Sequence, residues 1–458
     1  MPITLDYTNM FLPGAVTDAE WEEMRGRFRG AHAAVRGKHA RGTLGFIDLP
    51  TDAALLAQTT SFVERARGRH TDVLLLGIGG SALGPVALRT ALRPPAWNAL
   101  TEAERGGAPR LHVLDNVDPD TIAATLARLD LARTLVLVVS KSGGTAETMA
   151  QYLIVRHAFD EALGQQAREQ FVFVTDPEKG SLRPIARAEG LAALDIPANV
   201  GGRFSVLSPV GLLPAALIGI DVAGLLAGAA GMRDRCETDD LATNPAGSYA
   251  ALQYLAHERH GKPVHVFMPY ADPLRDMAAW FVQLWAESLG KVRADGVSVG
   301  PTPVPALGAT DQHSQVQLFM EGPADKTVTF VAVAGREGRG PIPSLYADVP
   351  DLAYLGGHTL GQLLDVERRA TAGALARRGR PNMTLTLDAV DAQHVGALIF
   401  LLEMATAYAG ELYDVDAFNQ PGVELGKQFT YGMLGRPGFE QARAEFEQLP
   451  AADPRRRV

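Results

Sequence analysis

Residues 140–148, SKSGGTAET, follow the apolar run Leu135–Val139 and precede a pattern in which Ala146, Met149 and Leu153 fall at i, i+3 and i+7. That order reads as strand, tight polar loop and helix start. Gly143 and Gly144 let the backbone fold closely around a ligand, while Ser140, Ser142, Thr145 and Thr148 supply hydroxyls and Lys141 supplies a charge. Free N–H groups at the start of a helix add to this, because a phosphate is electrostatically favoured there. The plainer reading is an ordinary strand-to-helix turn closed by a Ser or Thr cap.

Four further positions are candidates for chemistry. In NVGGRFSVLSPVG, Gly201 and Gly202 bring the backbone close and Arg203 projects a permanent cation among apolar neighbours, where it needs an anionic partner. A structural salt bridge would satisfy it equally. Glu287 continues the stripe Met277, Trp280, Leu284 at i+10, one turn before the Gly290 stop. Desolvation and the negative end of the helix dipole would there raise a carboxyl toward a general-base range. The alternative is a surface Glu at a frayed end.

His313, in GATDQHSQVQLFM, shares a face with Val316 and Met320 behind Thr310, a possible cap. Near a helix N-terminus imidazole tends to stay neutral, which suits a proton shuttle, though a capping or core histidine fits as well. Lys427, after Gly426 in GVELGK, is by itself a solvated lysine. No HExxH or paired-His spacing suggests zinc, so no metal site is expected.

The elements that would carry these residues recur with a regular rhythm. Val73–Leu76 ends in GIGGSALGP from Gly77, Leu111–Leu114 ends in Asp115, and Phe171–Val174 ends in Thr175 and Asp176. Short apolar strands separated by helical stretches predict a parallel, doubly wound sheet, whose ligands sit at the C-terminal strand ends. Both glycine loops fall there. A second cycle has strands at Val264–Met268, Thr327–Val333 and Met383–Leu387, with helices at Asp272–Leu289, Leu360–Ala376 and Ala392–Tyr408. The expected organisation is an N-terminal helical segment (1–70) packing on a first domain (71–232), a polar linker (233–247), a second domain (248–430) and a C-terminal tail (431–458).

GIGGSA also fits the looser dinucleotide fingerprint, with Gly77, Gly79 and Ala82 at the three small positions. That site wants an acidic residue about 20 positions on, at the end of the next strand. Here the strand ends at Asp115, beyond an insertion containing Pro94, Pro95 and Gly106. NAD binding is therefore disfavoured, and no GKS or GKT offers a nucleotide P-loop.

Composition narrows the class further. The 458 residues suit two domains, and 47% hydrophobic with 21% charged residues is the balance of a globular protein. A formal net charge of −9, with no long basic tract, gives no groove for nucleic acid. Cys236 is the only cysteine, which excludes an intrachain disulfide and fits a reducing compartment. The N-terminus lacks a secretion pattern, and the uncharged stretch Phe204–Ile220 is broken by Pro209 and Pro214, so it reads as buried helix and not a membrane span.

Taken together, GIGGS, SKSGGTAET, NVGGRFSVLSPVG, AESLGK, GATDQHSQ and FNQPGVELGK stand in the order found in phosphoglucose isomerases, and from about Asp72 to Lys427 the chain resembles their shorter bacterial form. The resemblance implies two sugar-isomerase (SIS) domains, each a mostly parallel sheet flanked by helices, in a cytoplasmic homodimer without metal or organic cofactor. It also implies that Ser140, Lys141, Ser142 and Thr145 hold a sugar phosphate, with Gly80, Ser81 and Thr148 close by. Glu287 matches the base that moves a proton between the first two sugar carbons, and Arg203 the cation that stabilises the enediolate. His313 and Lys427 match groups that help open the sugar ring, and Gln420 lies in the last motif.

Two departures stand out: Gly144 where related loops often carry threonine, and Leu289 where many relatives have a polar residue. The implied activity is interconversion of glucose 6-phosphate and fructose 6-phosphate. A bifunctional phosphoglucose and phosphomannose isomerase would share the chemistry, whereas a sugar-phosphate-binding regulatory protein would not need Glu287, Arg203 and His313 together.

Overall fold

The computed structural model describes residues 3–458. It contains the strands β1 (Ile3–Asp6), β2 (Asp72–Leu76), β3 (Arg110–Leu114), β4 (Thr134–Val139), β5 (Phe171–Thr175), β6 (Ala192–Asp195), β7 (Val264–Pro269), β8 (Lys291–Val292), β9 (Ser298–Val299), β10 (Thr302–Pro305), β11 (Lys326–Val333) and β12 (Asn382–Leu387). One five-stranded sheet has the order β3-β2-β4-β5-β6 and is parallel throughout. The other has the order β1-β12-β11-β7-β10 and is parallel except for β1. Strands β8 and β9 form a separate antiparallel pair. The architecture is the expected α/β one, with two mostly parallel sheets flanked by helices.

Every residue of β2, β4 and β5 is buried. Helices cover both faces of such a sheet, so its central strands need apolar side chains on both sides. Register then decides where the loops emerge. Leu76 lies opposite Leu114 and Val138, and Val139 opposite Val174. The C-terminal ends of β2, β4 and β5 are therefore aligned, and the loops starting at Gly77 and Ser140 leave the sheet side by side.

The N-terminal segment departs from expectation. Residues 3–6 form a strand, antiparallel to β12 in the second sheet, instead of part of a helical wrap on the first. Within the segment, the helix Asp18–Ala40 packs on Pro245–Glu258 and Ala392–Tyr413 of the second half. Its Phe28 ring stands 5.0 Å from that of Tyr408 and against Gly247, where a side chain would leave no room for the ring. The first half is met by the helix Ala53–Ala66, which packs against Pro209–Leu217, and by the turn before it, where the Phe46 ring stands 5.0 Å from that of Phe204 and the Gly45 N–H donates to the Asn199 carbonyl.

The polar stretch 233–247 is likewise no free tether. Cys236, Leu241 and Asn244 are buried, and Asn244 caps the helix Pro245–Glu258 while donating to the carbonyls of Cys236 and Thr238. One continuous apolar core joins the halves. Burial pushes the Cys236 thiol up to about 12, which leaves it unreactive near neutrality. Residues 431–458 are more than a tail: Glu440–Glu447 is a helix docked on Glu424–Met433, with the rings of Phe429 and Phe446 5.5 Å apart.

Among the described residues one helix, Ala392–Tyr413, is long and apolar enough to cross a membrane, and it is buried within the fold. Phe204–Ile220 contains the short buried helix Pro209–Leu217, as expected.

Candidate functional site

The loop after β4 is pinned before any ligand arrives. Thr175 at the end of β5 donates its hydroxyl to the Ser140 carbonyl at 2.7 Å, and the Ser140 and Thr145 hydroxyls are 3.1 Å apart. Ser142 Oγ lies 3.4 Å from the same Thr145 hydroxyl and accepts from the Gly144 N–H at 3.3 Å. Thr145 sits at the N-cap of the helix Ala146–Leu163 yet makes no side-chain cap bond. Its hydroxyl is turned to the loop and the first-turn N–H groups are left available to an anion. The hydroxyl of Thr148, buried one turn on, has no partner.

Gly143 is required here. Its φ is +61°, and a Cβ would stand 2.8 Å from the Ser181 backbone nitrogen. Gly144 is not under the same constraint: a Cβ there would meet only the Ser142 carbonyl oxygen, at 3.9 Å.

Lys141 leads to the second part of the site. Its ammonium donates to the carbonyls of Ala198 and Val200, each at 2.7 Å, and so stitches this loop to the one carrying Arg203. Desolvation draws its pKa below the usual lysine value, opposed by the charge of Asp176. The loop after β2 packs on the same segment. A Cβ at Gly80 would lie 2.4 Å from the Gly202 carbonyl oxygen, so only glycine permits this approach, and Ser81 closes the same short turn.

Arg203 is 4% exposed, and every nitrogen of its guanidinium donates. Nε binds Ser288 Oγ at 2.7 Å, and Nη1 binds Glu287 Oε1 at 3.0 Å and Gln420 Oε1 at 3.2 Å. Nη2 binds the carbonyls of Ala417 and of Asn419, the latter at 3.0 Å. Burying a cation is tolerable only with such full pairing. Glu287, on the helix Arg275–Leu289, keeps 27% of its side chain exposed. Its second oxygen accepts from Gln283 Nε2 at 2.9 Å, and Gln283 in turn lies against the Gly79 turn. Gln283 Oε1 is buried without a partner, an open acceptor beside the carboxylate. A carboxylate, a fixed cation and an anion-ready loop thus share one end of the first sheet. That set can move a proton next to a carbonyl while a phosphate is held some distance away.

A family profile described as Phosphoglucose isomerase matches residues 54–448. The chain belongs to the phosphoglucose isomerase family. It is 46% identical over 453 residues to the glucose-6-phosphate isomerase of Carboxydothermus hydrogenoformans, covering 97% of each chain. With the glucose-6-phosphate isomerase of Rubrobacter xylanophilus the identity is 49% over 442 residues, covering 95% of this chain and 99% of the relative. Among solved structures, a hypothetical protein of Thermus thermophilus superposes with a TM-score of 0.84 at 40% identity, covering 94% of this chain and all of the other. A glucose-6-phosphate isomerase of Chlamydia trachomatis shares the fold, with a TM-score of 0.78 at 23% identity and coverage of 98% and 92%.

Measured against the residues that the phosphoglucose isomerase motifs single out, the chain assembles one group and leaves another apart. Gly80, Ser81, Ser140, Lys141, Ser142, Thr145, Thr148, Arg203, Glu287 and Gln420 belong to the connected loops and helix ends just described. His313 and Lys427 do not join them. His313 is exposed on the short helix Thr310–Ser314 and makes no hydrogen bond to the Arg203–Glu287 group. Lys427 is exposed and pairs at 2.8 Å with Glu424 on its own helix.

Two neighbours went unread in the sequence. Gln283 is one turn before Glu287 on the same face, a spacing that could have revealed it. Ser288 carries Arg203 Nε, a contact with no local signal. Leu289, one of the two departures from the motif, is fully buried in the core.

Proposed function

We propose that this chain interconverts glucose 6-phosphate and fructose 6-phosphate by moving one proton between the first two sugar carbons. The observation that supports this best is the Glu287 carboxylate clamped between Arg203 and Gln283 while remaining partly open. In the aldose-to-ketose direction Glu287 takes the C2 proton, the electron pair moves to form the enediolate, and the proton returns to C1. The proton on the adjacent oxygens moves from O2 to O1. Arg203 stabilises the oxygen charge that develops between these steps. Because its donors are already fixed, little reorganisation is needed as that charge appears.

Ser140, Ser142 and Thr145 hold the phosphate through their hydroxyls and the helix N-terminus, with Lys141, Gly80, Ser81 and Thr148 shaping the cradle. Gln420 orients Arg203 by accepting from the same Nη1 that binds Glu287. His313 and Lys427 assist ring opening, His313 entering from a neighbouring subunit of a cytoplasmic homodimer. The exposure of both side chains favours this arrangement over one in which a single chain completes the site. Proton transfer by a carboxylate calls for neither metal nor organic cofactor.

The test is turnover of fructose 6-phosphate in a coupled assay after exhaustive chelation, with mannose 6-phosphate run in parallel. Turnover of the first alone supports the reading; turnover of both makes the enzyme bifunctional. Activity that returns only with added divalent metal contradicts it.

A further inference from the structure

Lys291 lies just past the helix that carries Glu287, and the roles above make no use of it. Its ammonium donates to the carbonyl oxygen of Glu287 at 2.6 Å and to that of Ser288 at 2.9 Å. These carbonyls belong to the last turn of Arg275–Leu289 and have no partner within the helix itself. Gly290 ends the helix, and β8 begins at Lys291 itself. A cation there satisfies the orphan carbonyls and opposes the negative end of the helix dipole. The same turn is held from its other side, where Arg203 Nε binds Ser288 Oγ. Two cations therefore grip one turn, Arg203 by the side chains of Glu287 and Ser288 and Lys291 by the carbonyls of the same two residues.

Resting on the isomerase reading, we propose that Lys291 is a positioning residue for catalysis, fixing the last helical turn so that Glu287 faces the substrate carbons. It acts through Glu287 and does not itself touch substrate. The charged groups that face it are Arg203 from the Gly202–Phe204 turn, Asp416 from the loop after Ala392–Tyr413, and Glu287 from the helix whose end it caps. Desolvation first, and the positive charge of Arg203 second, bring its pKa down to about 8. The grip thus weakens just above neutrality. A neutral amine keeps two N–H groups for the carbonyls but loses the charge that opposes the helix end.

The experiment compares wild type, Lys291→Met and Lys291→Arg in steady-state turnover of fructose 6-phosphate from neutral to alkaline pH, with thermal melting and binding of a competitive sugar-phosphate inhibitor as controls. Lys291→Met should lose roughly ten- to hundredfold in kcat at neutral pH, the range expected when a catalytic group is misplaced. Its KM should stay close to wild type, because the phosphate loop is untouched, and it should bind inhibitor at full stoichiometry. Lys291→Arg should recover most of kcat, since two carbonyl acceptors need a cation but not a particular one. As pH rises through about 8, wild-type kcat should decline by about two- to fivefold, the worth of a charge at a helix end. The Arg variant should lack that decline.

Wild-type kcat in Lys291→Met overturns the proposal. So does a loss in both variants accompanied by fewer inhibitor sites, which would make Lys291 purely structural, and so does an identical alkaline decline in wild type and Lys291→Arg. The wild-type rate stands as the separate check on the isomerase reading, and a wild type that does not isomerise at all overturns both.

Discussion

Arg203 and Lys427 are both cations that the family resemblance puts in one active site, yet this chain treats them in opposite ways. Arg203 is buried and donates from every nitrogen, to partners drawn from a helix and from the loop that ends the second half. Lys427 stands in solvent with a carboxylate one turn away, a pairing of little energetic weight. His313 sides with Lys427. The difference separates two tasks. On the proposed roles, stabilising an enediolate and holding its base demand preorganisation, which the interior of one chain can supply. The same proposal gives ring opening to two groups this chain presents outward, and leaves a second copy to complete the site.

The widest gap between the two regions should appear in the chemical step. Glu287→Gln removes the base but keeps one acceptor oxygen for Arg203, and its amide N–H can donate to Gln283 Oε1 once that amide flips, so kcat should fall roughly 10²- to 10⁴-fold. Binding of a sugar phosphate should persist, as should the fold. Exchange of the C2 hydrogen with solvent, followed by NMR in deuterated buffer, should vanish with turnover; exchange at the wild-type rate would move the base elsewhere.

Stability should divide the same residues by a smaller margin. Arg203→Met leaves Glu287, Ser288, Gln420 and two carbonyls without this donor and should cost about 3–5 kcal/mol in denaturant unfolding. His313→Ala removes nothing the chain itself bonds and should stay within about 0.5 kcal/mol. Equal costs would erase the distinction between a built interior and a presented surface.

The smallest effect is expected in the phosphate loop. Gly144→Ser adds a hydroxyl where a Cβ meets nothing closer than 3.9 Å. It should lower KM for fructose 6-phosphate by no more than about tenfold, the worth of one net hydrogen bond, with kcat and melting unchanged. A rise in KM would mean that the glycine serves the loop's conformation.

The sheets are readable because strands buried on both faces carry long apolar runs, unbroken within β2, β4 and β5; β7, β11 and β12 keep the signal although His265, Thr327, Thr329, Thr384 and Thr386 interrupt it. Strand β10 escaped notice because Pro303 and Pro305 argue against a strand; it is tolerated at a sheet edge, where it pairs only with β7. Strand β1 escaped because four residues carry little periodicity and its partner lies near residue 385. For the same reason the docking of Asp18–Ala40 on the second half was invisible: an amphipathic stripe says that a face is buried, not against what. In the site, Glu287 could be picked out because a carboxylate interrupts an apolar stripe. Ser288 and Lys291 could not, because their contacts come from the way the helix ends. For His313 and Lys427 the motifs indicate a role, but a single chain offers no geometry for it.

The most direct test is therefore to combine two damaged chains. Glu287→Gln and His313→Ala, differently tagged and co-expressed, should form mixed dimers as about half of the population by random association. If the base and the histidine of each site come from different chains, one site in every mixed dimer carries both defects and the other carries neither. The mixture should then recover roughly a quarter of wild-type activity, although each variant alone is nearly inactive. If both residues act within one chain, every site keeps a defect. Recovery no greater than the average of the two single variants, with mixed dimers confirmed by the tags, would contradict the shared site.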